Sequence, residues 1–231
     1  MPEFKFDNAL VLSARPLGER TYKVSLLTDA LGRHAGVVRG KKMPATAGLF
    51  SGRWQARLGE QTGHFYGEET AMPAAPFLED AARLKCLLCL CGLLDAVLPE
   101  RHPHPELYGA VMDWIAGLGT ADFLMRYVRL ELLILSAVGF GLDMSCCAGG
   151  GDACDLAYIS PKTGRSVSRD KGRRYDDRLL ALPAFLWRDA PATPRDIRDG
   201  LKLTAYFFIH KGGYKLPKIR EQLLDKAALS L

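Results

Sequence analysis

The side chains able to do chemistry in this sequence fall into two groups, runs of cations and clusters of thiols. Between Asp29 and Glu60 no acidic residue occurs, while Arg33, Arg39, Lys41, Lys42, Arg53 and Arg57 all fall there. A stretch of one charge sign suits contact with a phosphate backbone, because each phosphate neutralised releases condensed counterions. His34, Phe50 and Trp54 lie among these cations and are candidate base-stacking groups, the second requirement of single-strand recognition. The competing reading is a solvated basic surface with Trp54 in the core beneath it.

A second basic run comprises Lys162, Arg165, Arg169, Lys171, Arg173, Arg174 and Arg178, compensated locally by Asp170, Asp176 and Asp177. Lys211, Lys215, Lys218 and Arg220 make the C-terminal quarter positive as well. Of these, Lys162, Arg165, Lys215 and Lys218 join the six N-terminal cations as candidate nucleic-acid contacts. Arg126 and Arg129 stand three apart on an expected helix, with Leu130, Leu133 and Val138 as neighbouring apolar surface. That pairing suits a peptide ending in acidic residues and an apolar side chain, because arginine binds carboxylate bidentately while the apolar group is desolvated. The alternative is a helix-surface Arg129 paired with Glu131 or another acid.

The six cysteines group as Cys86, Cys89 and Cys91, then Cys146, Cys147 and Cys154. This is not the even spacing of a secreted disulfide framework, so reduced thiols are expected. Cys86 and Cys89 have zinc-ligand spacing but sit inside an apolar helical stripe without a matching pair, which reads as core. Cys146, Cys147 and Cys154 lie in a glycine-rich loop and are the weak candidates for a metal. Tetrahedral zinc needs a fourth ligand, which His210 or Asp152 would supply only by the accident of folding. The expectation is therefore no cofactor and no structural zinc. Gly149-Gly150-Gly151 is not followed by Gly-Lys-Ser/Thr, and Gly139-Phe140-Gly141 lacks the third glycine of a dinucleotide fingerprint. A metal-dependent enzyme on the cysteine loop would need a general base or an assembled ligand set, so no enzymatic activity is expected.

The elements that must position these groups follow from composition and period. The chain has 231 residues and a net charge of +5, with 48% hydrophobic and 25% charged residues, the make-up of a globular protein with a real core. Its longest nearly uncharged apolar stretch, Leu132 to Leu142, is well short of the roughly 20 residues that cross a bilayer. The N-terminus lacks a basic segment followed by an apolar one, so a cytoplasmic protein is expected. Strands are expected at Ala9 to Ala14, Tyr22 to Thr28, His34 to Arg39, Arg53 to Leu58 and Gly63 to Glu68, with a hairpin turn at Asp29 to Gly32. Five strands in about 70 residues predict a small closed barrel of the OB type. Beyond Pro73 and Pro76, helical patterns cover Phe77 to Leu98, Glu106 to Leu118 and Ala121 to Val138. An irregular Cys/Gly-rich insert at about 140–175, with a hairpin around Ser160 to Gly164, precedes a helix opened by Thr193, Pro194 and Asp196 and a last helix from about Lys218 to Leu229. The fold class is thus α+β, with an OB-fold domain over 1–75 and a mainly helical domain over 76–231.

The order of short motifs resembles a known family. Val11-Leu12 through Arg15-Pro16-Leu17-Gly18-Glu19, then Leu27-Thr28, Gly32-Arg33 and Val38-Arg39-Gly40-Lys41-Lys42, is similar to the N-terminal barrel of the RecO family of recombination mediators. Arg129-Leu130-Glu131-Leu132, Val138-Gly139-Phe140-Gly141 and Cys147-Ala148 resemble that family's central helix and following loop. Tyr158 to Arg165 and the terminal Lys215-Leu216-Pro217-Lys218-Ile219-Arg220 extend the match over nearly the whole chain. The resemblance implies a non-enzymatic protein that binds single- and double-stranded DNA, anneals complementary strands and helps load the RecA recombinase. It also implies RecR and the C-terminal tail of the single-stranded-DNA-binding protein SSB as partners, and places the tail contact at Arg129. Some family members carry a four-cysteine zinc module in the central loop, whereas only three cysteines stand there in this sequence. The runner-up reading is an adaptor whose basic surface binds acidic peptide tails, with DNA contact secondary.

Overall fold

A computed structural model describes residues 2–57 and 62–226. The chain forms two compact units, Met1–Leu118 and Gly119–Leu231. In the first, β1 (Glu3–Gly18), β2 (Thr21–Thr28), β3 (Gly32–Arg39), β4 (Leu49–Gln55) and β5 (Gly63–Ala71) close into a barrel in the order β1-β2-β3-β5-β4. All neighbours are antiparallel except β3 and β5, which run parallel.

The first strand is far longer than the apolar run at Ala9 to Ala14 suggests, because it serves two partners. Its first half pairs with β4 and its second with β2. The transfer uses a register shift between Phe6 and Ala9, where Asn8 adopts a φ of 52° and its amide donates to Ser51 Oγ. Asparagine tolerates this left-handed conformation better than most residues, and the extra residue bends the strand around the barrel. The fourth strand starts at Leu49, earlier than expected, and the end of the expected segment, Leu58, lies outside the described residues.

Alternation decides what the barrel encloses. Phe6, Val11, Val24, Leu26, Val38, Phe50, Trp54 and Phe65 form its core. His34 joins them, its ring edge-on to Trp54 at 4.8 Å and to Phe4 at 5.3 Å. Trp54, Phe50 and His34 are thus interior groups, which overturns the expectation that they stack bases. The hairpin turn between β2 and β3 lies where expected. Gly32 has a φ of 65°, and a Cβ there would collide with the His102 carbonyl oxygen, so only glycine fits.

Three helices follow: α1 (Ala81–Val97), α2 (Pro105–Ala116) and α3 (Phe123–Ala137), the first two in the barrel unit. Asp80 caps α1 by accepting from the Ala82 and Arg83 amides. This helix is buried on more than the single stripe expected: Cys86, Leu87, Cys89, Leu90, Cys91, Leu93 and Leu94 are all interior, while Leu88 is exposed. It packs against β1.

In the second unit, the insert expected to be irregular supplies β6 (Leu156–Ile159) and β7 (Ser166–Ser168) of a small sheet of order β7-β6-β8, which β8 (Leu180–Ala181) completes from beyond it. The expected hairpin joins β6 to β7, with Gly164 at a φ of 70°. A short helix α4 (Arg169–Gly172) follows β7. The helix α5 (Pro194–Tyr206) opens with the expected capping box between Thr193 and Asp196 and continues into one π-helical turn, Phe207–Lys211. A 3-10 turn at Lys218–Arg220 leads into α6 (Glu221–Lys226), and the rest of the expected final helix lies outside the described residues.

The centre of this unit holds a buried ion pair. Arg220 donates to Glu131 Oε1 at 2.9 Å and Oε2 at 2.7 Å, to the Leu201 carbonyl at 2.7 Å and to Thr204 Oγ1 at 2.9 Å. Thr204 also donates to Glu131 Oε2. Arg220 therefore ties the C-terminal segment to α3 and α5 and is not part of the positive surface, contrary to the sequence reading.

Candidate nucleic-acid interface

The six N-terminal cations separate by strand phase. Arg33 faces the end of α1: its Nε donates to the Leu98 carbonyl at 2.8 Å and its Nη1 lies 3.4 Å from Asp95 Oδ1. It braces the barrel against α1 and is only 19% exposed, so its charge is spent within the unit. Arg39 ends β3, Lys41 and Lys42 lie in the loop after it, Arg53 points outward from β4, and Arg57 follows that strand. All five are exposed. Among the described residues, Arg39, Lys41, Lys42 and Arg57 have no ion-pair partner, while Arg53 Nε reaches Glu3 only at 4.0 Å.

Two side chains that the sequence reading passed over share this face. Tyr66 on β5 pairs directly with Arg53 across the antiparallel ladder, and the guanidinium sits 5.5 Å from its ring centre. His64, two residues before it, projects to the same side. The signal was available in the alternation of His64, Phe65 and Tyr66, but reading it requires knowing that Phe65 fills the barrel.

Beneath this face the barrel buries several polar groups. Among the described residues, both His34 ring nitrogens, Trp54 Nε1 and Ser25 Oγ are buried without hydrogen-bond partners. The His34 pKa is pushed down to about 4, first by burial and then by the Arg101 and Arg33 charges, with Glu100 opposing. The neutral imidazole belongs to the apolar core.

In the second unit the basic run is largely compensated. Arg165 lies 3.4 Å from Asp143, Arg169 3.3 Å from Asp155, Lys171 3.9 Å from Asp170 and Arg178 3.6 Å from Asp177. Lys162, Lys215 and Lys218 are exposed, and the Lys162 carbonyl accepts from Lys211 Nζ. On α3, Arg126 is half-buried and Arg129 exposed. Arg129 Nε donates to the Phe185 carbonyl at 2.9 Å, and Glu131 belongs to Arg220, so the expected alternative pairing of Arg129 with Glu131 does not form. Of the apolar neighbours, Leu130 is buried and Val138 half-buried, which leaves Leu133, one turn beyond Arg129, as the exposed one.

The thiols of α1 are interior, and burial pushes Cys91 up to about 12. In the loop, Cys146 and Cys154 are exposed and Cys147 is buried. Burial works against ionisation of Cys147, but the Ser168 hydroxyl and the amides of Ser168, Gly151 and Gly149 hold its pKa down at about 7. Its sulfur accepts the Ser168 amide at 3.2 Å. Among the described residues no three His, Cys, Asp or Glu side chains converge as metal ligands, so the residues present do not make the set that the resemblance associates with zinc. No described helix is long and apolar enough to cross a membrane.

A family model described as recombination protein O, C terminal, matches residues 78–218. The chain is 41% identical to the DNA repair protein RecO of Rhodospirillum rubrum, over 95% of this chain and 94% of that one. The chain belongs to the RecO family. It is also 44% identical to the RecO of Rhodospirillum centenum, covering 87% of this chain and 84% of that protein. A Cereibacter sphaeroides RecO is 37% identical over 99% of both chains. The closed barrel followed by helices is the architecture that the RecO resemblance implies.

Proposed function

We propose that this protein acts in DNA repair and recombination as a non-enzymatic mediator, binding single- and double-stranded DNA through the outer face of its barrel. The observation that carries the reading is the set of exposed cations Arg39, Lys41, Lys42 and Arg57, unpaired among the described residues, beside the loosely held Arg53. Side chains whose charge is already neutralised, such as Arg33 and Arg165, have less to offer a phosphate. Strand annealing requires no bond chemistry, only screening of phosphate repulsion while two strands sample register. Lys162, Arg165, Lys215 and Lys218 are proposed as a weaker second contact surface.

The same reading extends to loading of RecA on SSB-coated DNA with RecR as a partner, which is what the family resemblance implies. The proposed site for the SSB tail is on α3, where the Phe185 carbonyl holds Arg129 through Nε, a guanidinium can pair with a carboxylate, and Leu133 beside it is exposed for an apolar residue. Arg126 flanks the same site. The test is a salt titration of binding to single-stranded and duplex oligonucleotides. A steep loss of affinity with salt, corresponding to several phosphates, supports the reading, and binding that is absent or independent of salt refutes it.

A further inference from the structure

The strand register lays a single row of side chains across the outside of the barrel. Lys5 of β1 pairs with Arg53 of β4, and Arg53 pairs with Tyr66 of β5. The parallel register of Val37 with His64 and Val38 with Phe65 carries Arg39 to the far side of Tyr66. Because Val38, Trp54 and Phe65 point inward, their neighbours Arg39, Arg53 and Tyr66 point outward together. A phenol ring thus stands between cations from three other strands.

The ring itself is accessible. Tyr66 is 50% exposed, and a groove of about 400 Å³ beside it is lined by Arg39, His64, Phe65, Tyr66 and Gly67. The His64 and Tyr66 ring centres are 6.3 Å apart with their planes inclined by 39°. An aromatic surface with flanking cations is what a single strand needs, since bases stack on rings while phosphates on either side meet charge. A duplex keeps its bases stacked on one another and cannot use the ring.

Resting on the nucleic-acid reading above, we propose that Tyr66, assisted by His64, is a base-stacking platform that makes the barrel bind single strands in preference to duplex, with Lys5, Arg39 and Arg53 holding the adjoining phosphates. The site would take an unpaired nucleotide of any sequence, because every base presents a π face. Arg53 then has two roles, steadying the ring from its cross-strand position and contacting phosphate.

The test compares full-length protein with Tyr66→Ala, Tyr66→Leu and Tyr66→Phe on an oligothymidine strand and on a duplex of equal length, at several salt concentrations. The stacking role expects Tyr66→Ala and Tyr66→Leu to weaken single-strand binding roughly 5- to 100-fold, with the salt slope and duplex affinity nearly unchanged, and Tyr66→Phe to bind as wild type. The leucine variant keeps bulk on the strand and so remains informative if the alanine variant folds poorly. Single-strand affinity equal to wild type in the leucine variant, or equal losses on single strand and duplex, would overturn the proposal while leaving the basic face intact. Wild-type protein that binds neither form would remove the nucleic-acid reading, and this inference with it.

Discussion

Removing the Arg220 charge tests the packing of the second unit most severely. Arg220 is 3% exposed and Glu131 fully buried, and the guanidinium makes four hydrogen bonds to Glu131, Leu201 and Thr204. Arg220→Met keeps much of the apolar stem but leaves a buried carboxylate that, among the described residues, keeps the Thr204 hydroxyl as its partner. Breaking a buried pair from one side costs about 3 to 5 kcal/mol, because the surviving charge has lost both water and partner. At roughly 4 °C per kcal/mol for a unit of this size, melting of that unit should fall by about 12 to 20 °C. Adding Glu131→Gln removes the stranded charge, so the double variant should recover part of the loss. The assay is thermal and urea unfolding of wild type, both single variants and the double. A single-variant cost below about 1 kcal/mol, or a double variant worse than the sum of the singles, would refute the claim that this pair organises the unit.

Three further outcomes are expected. A histidine held neutral in the fold binds a proton more readily when unfolded, so His34 contributes stability that is complete above about pH 6.5 and lost as pH falls toward about 4. Unfolding free energy should drop by about 1 to 2 kcal/mol between pH 7 and pH 5, after allowance for solvent screening, and a His34→Phe variant should lack that drop; equal pH profiles would contradict it. Arg129→Ala should weaken an SSB tail peptide about ten-fold or more while bare-DNA annealing survives, and normal peptide binding by the variant would dismiss α3 as the site. Purified protein should hold less than one zinc per chain, with melting unmoved by chelator. One tightly held zinc, whose removal lowers melting, would show a ligand set that Cys146, Cys147 and Cys154 alone do not explain.

Local chemistry in the sequence was readable wherever it was self-sufficient. Thr193, Pro194 and Asp196 specify a helix start through bonds among themselves, and the turn before Gly32 needs little beyond its own residues. Features that depend on strand phase were harder. Trp54 and His34 looked like base-stacking groups because they sit among cations, yet on a strand the neighbours of an outward cation face inward. Tyr66 was passed over by the same logic in reverse. The extent of β1 was hidden because it bends through a bulge at Asn8, which breaks the alternation. Glu131 and Arg220 lie 89 residues apart, and nothing local distinguishes Arg220 from the exposed lysines around it. Arg33 likewise looked like one more surface cation until α1 supplied Asp95.

If exposed cations on the barrel neutralise phosphates, the salt slope of an Arg39→Ala, Lys41→Ala, Lys42→Ala triple variant must change. These residues make no ion pairs among the described residues, so their loss should change thermal stability little. If all three meet phosphate on a single strand, the slope of log affinity against log salt should flatten by about 2, with weaker binding to every sequence. A variant that melts like wild type and keeps both its affinity and its salt slope would show that these cations do not meet phosphate.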